Sequence, residues 1–455
     1  MDLASPHPND LILISVDDHL VEPPDMFDGR LPSRYRDRAP RVIVNDAGNE
    51  MWLFEGTEIP NFGLNAVSGR PEEEYGIEPT RFSDIRDGCY DVAARIDDMN
   101  AGGVLASLCF PSFPQFCGQI FANTEDKDLA LNVLRAYNDW HIEDWCGAAP
   151  GRLIPLALLP YWDPELMAAE VRRVAALGVR AVTFSENPEK LGVPSFHNPH
   201  WDPFWRACDD AAIVVCLHIG SSSQVKLPSV EAPFTTMMTL QPTSVMDTAA
   251  DLLWSRVLQE FPNIRFALSE GGIGWIPYLL GRADYVYENH RRWTGSHLGG
   301  RLPSEVFREH FVGCFIEDPI GARLIDDIGR DIVCIETDYP HSDSTWPHTP
   351  ERLARQLAGH DDELIAAVTH RNAMRLFGFD PFAHRRPAES TAGHLRSLAT
   401  HVDVGPAEPR GDWTPPERPL SLLDMLSGAS HPLLDEQARA EGVTGGSDEE
   451  EPDRV

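Results

Sequence analysis

The sequence predicts an α/β fold, a (β/α)8 TIM barrel, and three observations carry that reading. Short β-rich apolar runs alternate with helical stretches, and eight such strand–helix units follow one another within about 370 residues. The runs are apolar along their whole length rather than at every second position, which marks strands buried on both faces of a parallel sheet. No Gly-rich phosphate turn follows the first strand, which disfavours the rival arrangement, a doubly wound open sheet.

The first strand is the run Leu11, Ile12, Leu13, Ile14 and Val16, which ends abruptly in Asp17, Asp18 and His19. Side chains two apart on a strand share a face, so Asp17 and His19 project together and Asp18 points away. An insertion over about residues 20–88 comes next, and two β runs around an Asp-Ala-Gly-Asn turn at 41–58 predict a β-hairpin within it. A helix at 91–101 closes on Gly102 and Gly103. The alternation then runs strand 104–111, helix 126–146, strand 153–160, helix 164–177, strand 180–186, helix 201–212, strand 213–220 and helix 244–260. It continues with strand 264–272, helix 275–293, strand 311–318, helix 322–328, strand 331–340 and helices at 350–358 and 361–376. Beyond Phe379 the composition turns to Pro, Ala, Gly and charge. The expected division is a barrel over 1–380 and a C-terminal extension over 381–455, with an amphipathic segment at 418–428 and a disordered acidic tail at 440–455.

Composition bounds the partners. A chain of 455 residues, 42% hydrophobic, can bury a large core. Its net charge of -33 argues against nucleic acid, whose phosphates need a basic surface, and against an anionic membrane. No apolar stretch approaches membrane-spanning length, and the first residues lack a basic start followed by an apolar run. The eight cysteines are scattered without a CxxC pair, several inside strand-like runs, so they read as reduced small hydrophobes and the expected compartment is the cytoplasm.

Enzymes on this barrel hold their chemistry at the C-terminal strand ends. Here those ends carry Asp17 and His19 on the first strand, His218 on the fifth, Glu270 on the sixth and Asp338 on the eighth. Each interrupts an apolar run where an unpartnered polar group is costly. A divalent cation satisfies them together, and Asp17, His19, His218 and Asp338 are the expected ligands of one such ion. Mixed nitrogen and oxygen donors favour zinc, with manganese or iron(II) as alternatives because no thiolate is present to decide. Glu270 and His341, with Asp338, are the candidate catalytic groups for proton transfer. Asp343 and Trp346 share the loop of His341, where packing explains Trp346 better than a pocket wall. Glu22 reads as an organiser of the loop after the first strand. His197, His200, His290 and Arg291 read as surface or packing residues, and nothing singles out Arg282 or Arg323.

Five stretches, VDDHLVEP, RIDDMNAGGV, LHIG, SEGGIGWIP and ETDYPHSDSTWP, occur in order across about residues 10–380. Together they resemble the amidohydrolase superfamily, within it the group that includes aminocarboxymuconate-semialdehyde decarboxylase and the resorcylate-type decarboxylases. The resemblance implies that the first-strand metal pair falls on Asp17 and His19 and the fifth-strand histidine on His218. It places the last-strand aspartate on Asp338, binding metal or holding the nucleophilic water. The chain departs at Glu270, where the decarboxylases carry a histidine for proton transfer or water activation. Binuclear members bridge two metals through a carboxylated lysine ending the fourth strand. Of the three lysines here (Lys127, Lys190 and Lys226), Lys190 lies past that end, so one metal is expected, with Glu186 keeping a bridged pair as the lesser option.

The expected function is therefore a metal-dependent hydrolase in which a metal-activated water attacks a small organic substrate. The alternative is a non-oxidative decarboxylase of an aromatic or enoic acid, and a non-catalytic metal-binding scaffold is the third reading. The resemblance also implies a homo-oligomer, a dimer, with 41–58 and 381–428 as contact elements.

Overall fold

In the computed structural model, which describes residues 6–60, 63–75, 79–408 and 416–421, two parallel sheets and a small antiparallel one organise the chain. The strands are β1 (Ile14–His19), β2 (Arg41–Val44), β3 (Glu50–Phe54), β4 (Thr57–Ile59), β5 (Ala106–Phe110) and β6 (Leu153–Ile154). After them come β7 (Leu156–Ala157), β8 (Ala181–Ser185), β9 (Val214–His218), β10 (Arg265–Ser269), β11 (Phe311–Phe315) and β12 (Val333–Ile335). One parallel sheet has the order β1-β5-β6, and the other runs β7 to β12 in chain order. β2, β3 and β4 pair antiparallel between β1 and the helix Val92–Gly102.

The apolar run expected as one strand over 153–160 is divided at Pro155, which has no N–H for a ladder. Its first half pairs with β5 and its second with β8. At the far edge, Asp338 N donates to Asp17 O at 3.0 Å and His19 N donates to Tyr339 O at 2.8 Å. The end of β1 is thereby tied to the segment that follows β12. The β1–β5 register shifts between Ser15 and Asp18, a bulge of the kind that re-aims side chains near functional sites.

Burial explains why the strands read as apolar throughout. On one face, Val16, Leu108, Cys216, Ala267, Cys314 and Cys334 share a cluster; on the other, Phe184, Leu217, Phe266 and Phe311 pack against helical residues such as Trp205 and Ile276. All eight cysteines are buried and free. Helix starts follow their caps: Asp91 accepts from Ala94 N, Asp126 from Leu129 N, and Asp163 from Glu165 N and Leu166 N.

Three expectations need correction in detail. The helix expected over 244–260 is two helices, Ser244–Leu253 and Val257–Glu260, broken where Ser255 Oγ bonds the local backbone instead. The strand expected over 331–340 is only Val333–Ile335, because after it the backbone makes isolated bonds to Phe315, Asp17 and the Ser15 hydroxyl rather than a regular ladder. The helix Lys127–Trp140 continues as a π-helical turn, His141–Cys146. The sequence pattern missed the helices Phe234–Leu240, Pro303–His310 and Ala392–Leu398. The last packs on the body of the molecule, where Ala392 N donates to Leu11 O and Arg396 pairs with Glu351. Most of the 418–428 segment and the whole 440–455 tail lie outside the described residues. Among the described residues no helix is long and apolar enough to cross a membrane.

Candidate metal centre

The polar strand-end residues singled out from the sequence lie in one buried cluster. Asp17 and His19 end β1, His218 ends β9, Glu270 follows β10, and Glu336 and Asp338 follow β12. The side chains of Asp17, His19, His218 and Asp338 are at most 1% exposed, Glu270 is 7% exposed, and His341 is the most open at 18%.

His19 Nε2 lies 3.1 Å from Glu270 Oε1 and 3.0 Å from Asp338 Oδ1. His218 Nε2 lies 3.3 Å from Glu270 Oε1 and 3.7 Å from Asp17 Oδ2. One of these contacts is a hydrogen bond, His19 Nε2 with Glu270 Oε1, and the rest are not. Both Asp17 carboxylate oxygens, His218 Nε2 and Asp338 Oδ1 are buried without an aligned hydrogen bond. Such groups are costly to leave bare, so lone pairs that crowd together without donating to one another fit a shared cation. The donor set, carboxylate oxygen and imidazole nitrogen, suits a divalent metal. His218 Nδ1 sits 2.5 Å from Ile219 O, which fixes the proton on Nδ1 and leaves the Nε2 lone pair for the cluster. The half-buried Phe116 stacks on the same ring at 4.0 Å and 16°, holding its plane.

Asp338 Oδ2 takes a different partner, His341 Nδ1 at 2.8 Å. Glu270 and Asp338 have φ of 57° and 55°, a left-handed conformation that costs an L-residue on the order of 1–3 kcal/mol. Surrounding contacts hold both: Glu270 N donates to Glu336 Oε1, and Asp338 N donates to Asp17 O.

Electrostatics follow from this crowding. Burial first, then the Glu336, Glu270 and Asp338 charges, push Asp17 well above the usual carboxylate range. Burial and neighbouring carboxylates likewise raise Glu336, and burial raises Asp338 against the pull of His341. For His341, burial works against the charged form, but Asp338 and Glu270 overcome it and lift the imidazole to about 10. For Glu270, burial works against the charged form, but the imidazoles of His218, His19 and His341 together outweigh it and hold the carboxyl well below its ordinary value.

Sequence reasoning missed three residues. Glu336 is fully buried two positions before Asp338, Phe116 arrives on a loop, and Arg95 is a fully buried arginine. Arg95 donates to the carbonyls of Gly88 and His19, and reaches that of Tyr339 at 3.5 Å, clamping the two segments that carry the cluster. Only Glu336 had a signal to find, as one more carboxylate at the end of the eighth strand.

The other candidates stand apart. Glu22 accepts from Ser112 N and Phe113 N and so organises the loop after β5. Glu186 accepts from Gly220 N and from the hydroxyls of Ser222 and Ser244, a loop-fixing role, and Lys190 is exposed. Trp346 packs toward the helix Val92–Gly102, donating to Asp98 O with Arg86 over its ring, and Asp343 is exposed. His197 pairs with Asp251, His200 packs edge-on to Trp201, and His290 accepts from Trp293 Nε1. Arg291 lies over Tyr287, Arg282 over Tyr285, and Arg323 is exposed.

The amidohydrolase family model matches residues 64–379. A gamma-resorcylate decarboxylase from Rhodococcus jostii (strain RHA1) is 26% identical over 274 residues, which cover 56% of this chain and 79% of that protein. The fold is similar to that of an amidohydrolase from Mycobacterium avium subsp. paratuberculosis K-10, with a TM-score of 0.61 at 19% identity over 80% of this chain and 98% of the other. It is also similar to a dihydroxybenzoic acid decarboxylase from Polaromonas sp. JS666, solved with bound manganese and the inhibitor 2-nitroresorcinol. There the TM-score is 0.52 at 18% identity, over 80% of this chain and 96% of the other. The family match spans more than half of the chain, and the protein belongs to the amidohydrolase family of enzymes.

Proposed function

We propose that the protein is a metal-dependent carboxy-lyase that releases carbon dioxide, without oxidation, from a small aromatic or enoic acid. The observation that carries this is the convergence of donor atoms from Asp17, His19, His218 and Glu270, all within 4.8 Å of one another, beside the Asp338–His341 pair. Residue types alone favoured a hydrolase. The decarboxylase relatives move the balance to the lyase.

Asp17, His19 and His218, with Glu270 or Asp338, would hold one divalent cation. When bound, the cation supplies positive charge on which a substrate carboxylate and a neighbouring hydroxyl or oxo group can both anchor. Asp338 orients His341 through Nδ1, which leaves Nε2 as the nitrogen for the substrate. A proton passed from Nε2 to the carbon bearing the carboxylate allows the carbon–carbon bond to break and carbon dioxide to leave. The substrate's π electrons make the new C–H bond, and the carbon–carbon bonding pair restores the π system as carbon dioxide leaves.

The same reading takes the two parallel sheets as one closed (β/α)8 barrel over about 1–380 with an extension after it. The split third run and the backbone bonds from β1 to the segment after β12 support closure. Manganese in the Polaromonas relative puts manganese beside zinc as the ion. A homodimer and a reducing, cytoplasmic setting complete the proposal, the latter supported by eight buried free cysteines.

A screen of the metal-loaded protein against aryl and enoic acids, beside amides, lactones and diketones, tests it. The expected result is carbon dioxide from at least one acid. Hydrolysis of a neutral substrate with no carbon dioxide from any acid restores the hydrolase reading, for which the carboxylate at Glu270 is the specific support.

A further inference from the structure

We infer that Asp98, held by Arg86, is a positioning residue of the reaction: through the Tyr339 hydroxyl it fixes the segment that carries Asp338 and His341. The inference rests on the carboxy-lyase reading above for its effect on rate.

Tyr339 stands between Asp338 and the pair Pro340 and His341. Its main chain is bound on both sides, the N–H donating to Asp18 Oδ1 at 3.1 Å and the carbonyl accepting from His19 N at 2.8 Å. Its buried ring lies 4.5 Å from the Arg95 guanidinium and packs edge-on to Trp346. The hydroxyl at the end of that ring donates to Asp98 Oδ2. A tyrosine turns about only two side-chain bonds, so a fixed hydroxyl limits the backbone that bears it.

Asp98 is itself firmly held. Its side chain is 5% exposed, and the Arg86 guanidinium donates to both carboxylate oxygens, through Nε at 3.0 Å and through Nη2. Such a two-point charged contact is among the strong ones. A Cβ at Gly88 would meet Asp98 Oδ2 at 2.3 Å and the Tyr339 hydroxyl at 2.9 Å, so glycine there leaves the two groups room to meet. Asp98 also takes the far end of the same loop. Its carbonyl accepts from Trp346 Nε1 at 2.9 Å, and the Arg86 guanidinium covers that indole at 4.4 Å. His341 lies in sequence between the two fixed points, Tyr339 and Trp346. Asp403, on the C-terminal extension, closes the arrangement by accepting from Arg86 Nη1 at 3.0 Å.

The donor groups that crowd together among the described residues include neither Asp98 nor Arg86. What the pair governs is the place of the His341 ring, and a displacement of about 1 Å at a reacting group costs up to about a hundredfold in rate.

The test compares wild type with Tyr339→Phe, which keeps the ring and removes only the hydroxyl, with Asp98→Asn and with the double variant. Hydrogen exchange is followed on the peptide 337–348, where the His341 and Thr345 amides donate to the carbonyls of Asp338 and Thr337. Either single variant should exchange there at least about tenfold faster, with manganese content by elemental analysis equal to wild type. On the acid that wild type decarboxylates, kcat should fall by about ten- to a hundredfold with KM within about twofold. The double variant should be no slower than the worse single one, because both changes remove the same contact. Losses that multiply in the double variant mean that Asp98 does not act through Tyr339, and they overturn the inference. A loosened loop with unchanged kcat is the mark of a merely structural bond and overturns it as well, as does unchanged exchange. If wild type turns over no acid, the carboxy-lyase reading falls, and the exchange pattern alone decides whether Asp98 holds the loop through Tyr339. If Asp98→Asn does not fold, Tyr339→Phe carries the same readouts.

Discussion

His341 is the cluster residue nearest to solvent, and its ring nitrogen Nδ1 lies 2.8 Å from Asp338 and 3.4 Å from the Asp343 N–H. Replacing it by glutamine keeps a polar side chain but removes the transferable proton. The expected result is a fall in kcat of about two to four orders of magnitude with metal content unchanged, read by steady-state rates beside elemental analysis. The residues around it were unequally visible in the sequence. Asp17, His19, His218, Glu270 and Asp338 each stop an apolar run, and a buried polar stop is a rare and costly event. Phe116 and Arg95 had no such contrast. An aromatic in a Pro-rich loop reads as core, and an arginine on a polar helix reads as surface, so only the fold reveals that one stacks on His218 and the other clamps the His19 carbonyl.

Among the elements, the helices Lys127–Trp140 and Pro164–Ala176 meet around a buried carboxylate. Glu170 accepts from Asn138 Nδ2, Arg135 Nε and the Arg173 guanidinium, and its side chain is fully shielded. Glu170→Ala strands the buried Asn138 amide while the half-exposed arginines turn to solvent, and should cost about 1–3 kcal/mol in a denaturant melt. One turn further along, burial pushes His141 down to about 4, and His370 is pushed down likewise. Between that value and the ordinary 6.5 the unfolded chain takes up a proton that the folded chain refuses. Stability is therefore full above about pH 6.5 and falls as pH drops toward 4, by up to about 3 kcal/mol for His141. His141→Phe, which preserves the stacking beside Tyr137, should roughly halve the slope of stability against pH in that window. Strand positions were legible because both faces are buried and the runs are unbroken. Breaks at Pro155 and Trp254 were not, since one proline or one hydroxyl rearranges a few local hydrogen bonds without altering the hydrophobic pattern. The π-helical turn at His141–Cys146 adds one residue to a repeat that periodicity alone cannot register.

For the whole molecule, a buried carboxylate cluster without its cation is a liability that metal relieves. Ligand linkage gives about 2.7 kcal/mol of added stability at a hundredfold excess over Kd. Removing metal with a chelator should lower Tm by roughly 3 °C, and restoring manganese or zinc should recover it. An unchanged melting curve would count against a cation in the cluster. The net charge of -33 acts over the same scale, since mutual repulsion opposes compactness and is screened by salt.

The left-handed conformations of Glu270 and Asp338 have a consequence for inheritance. A glycine at either position relieves the backbone strain, at the expense of the hydrogen bonds its carboxylate makes to His19 or His341. In a lineage that stopped needing the reaction, drift would erase these two side chains and leave an idle scaffold. The metal-free Glu270→Gly protein, melting above metal-free wild type, would make that trade measurable.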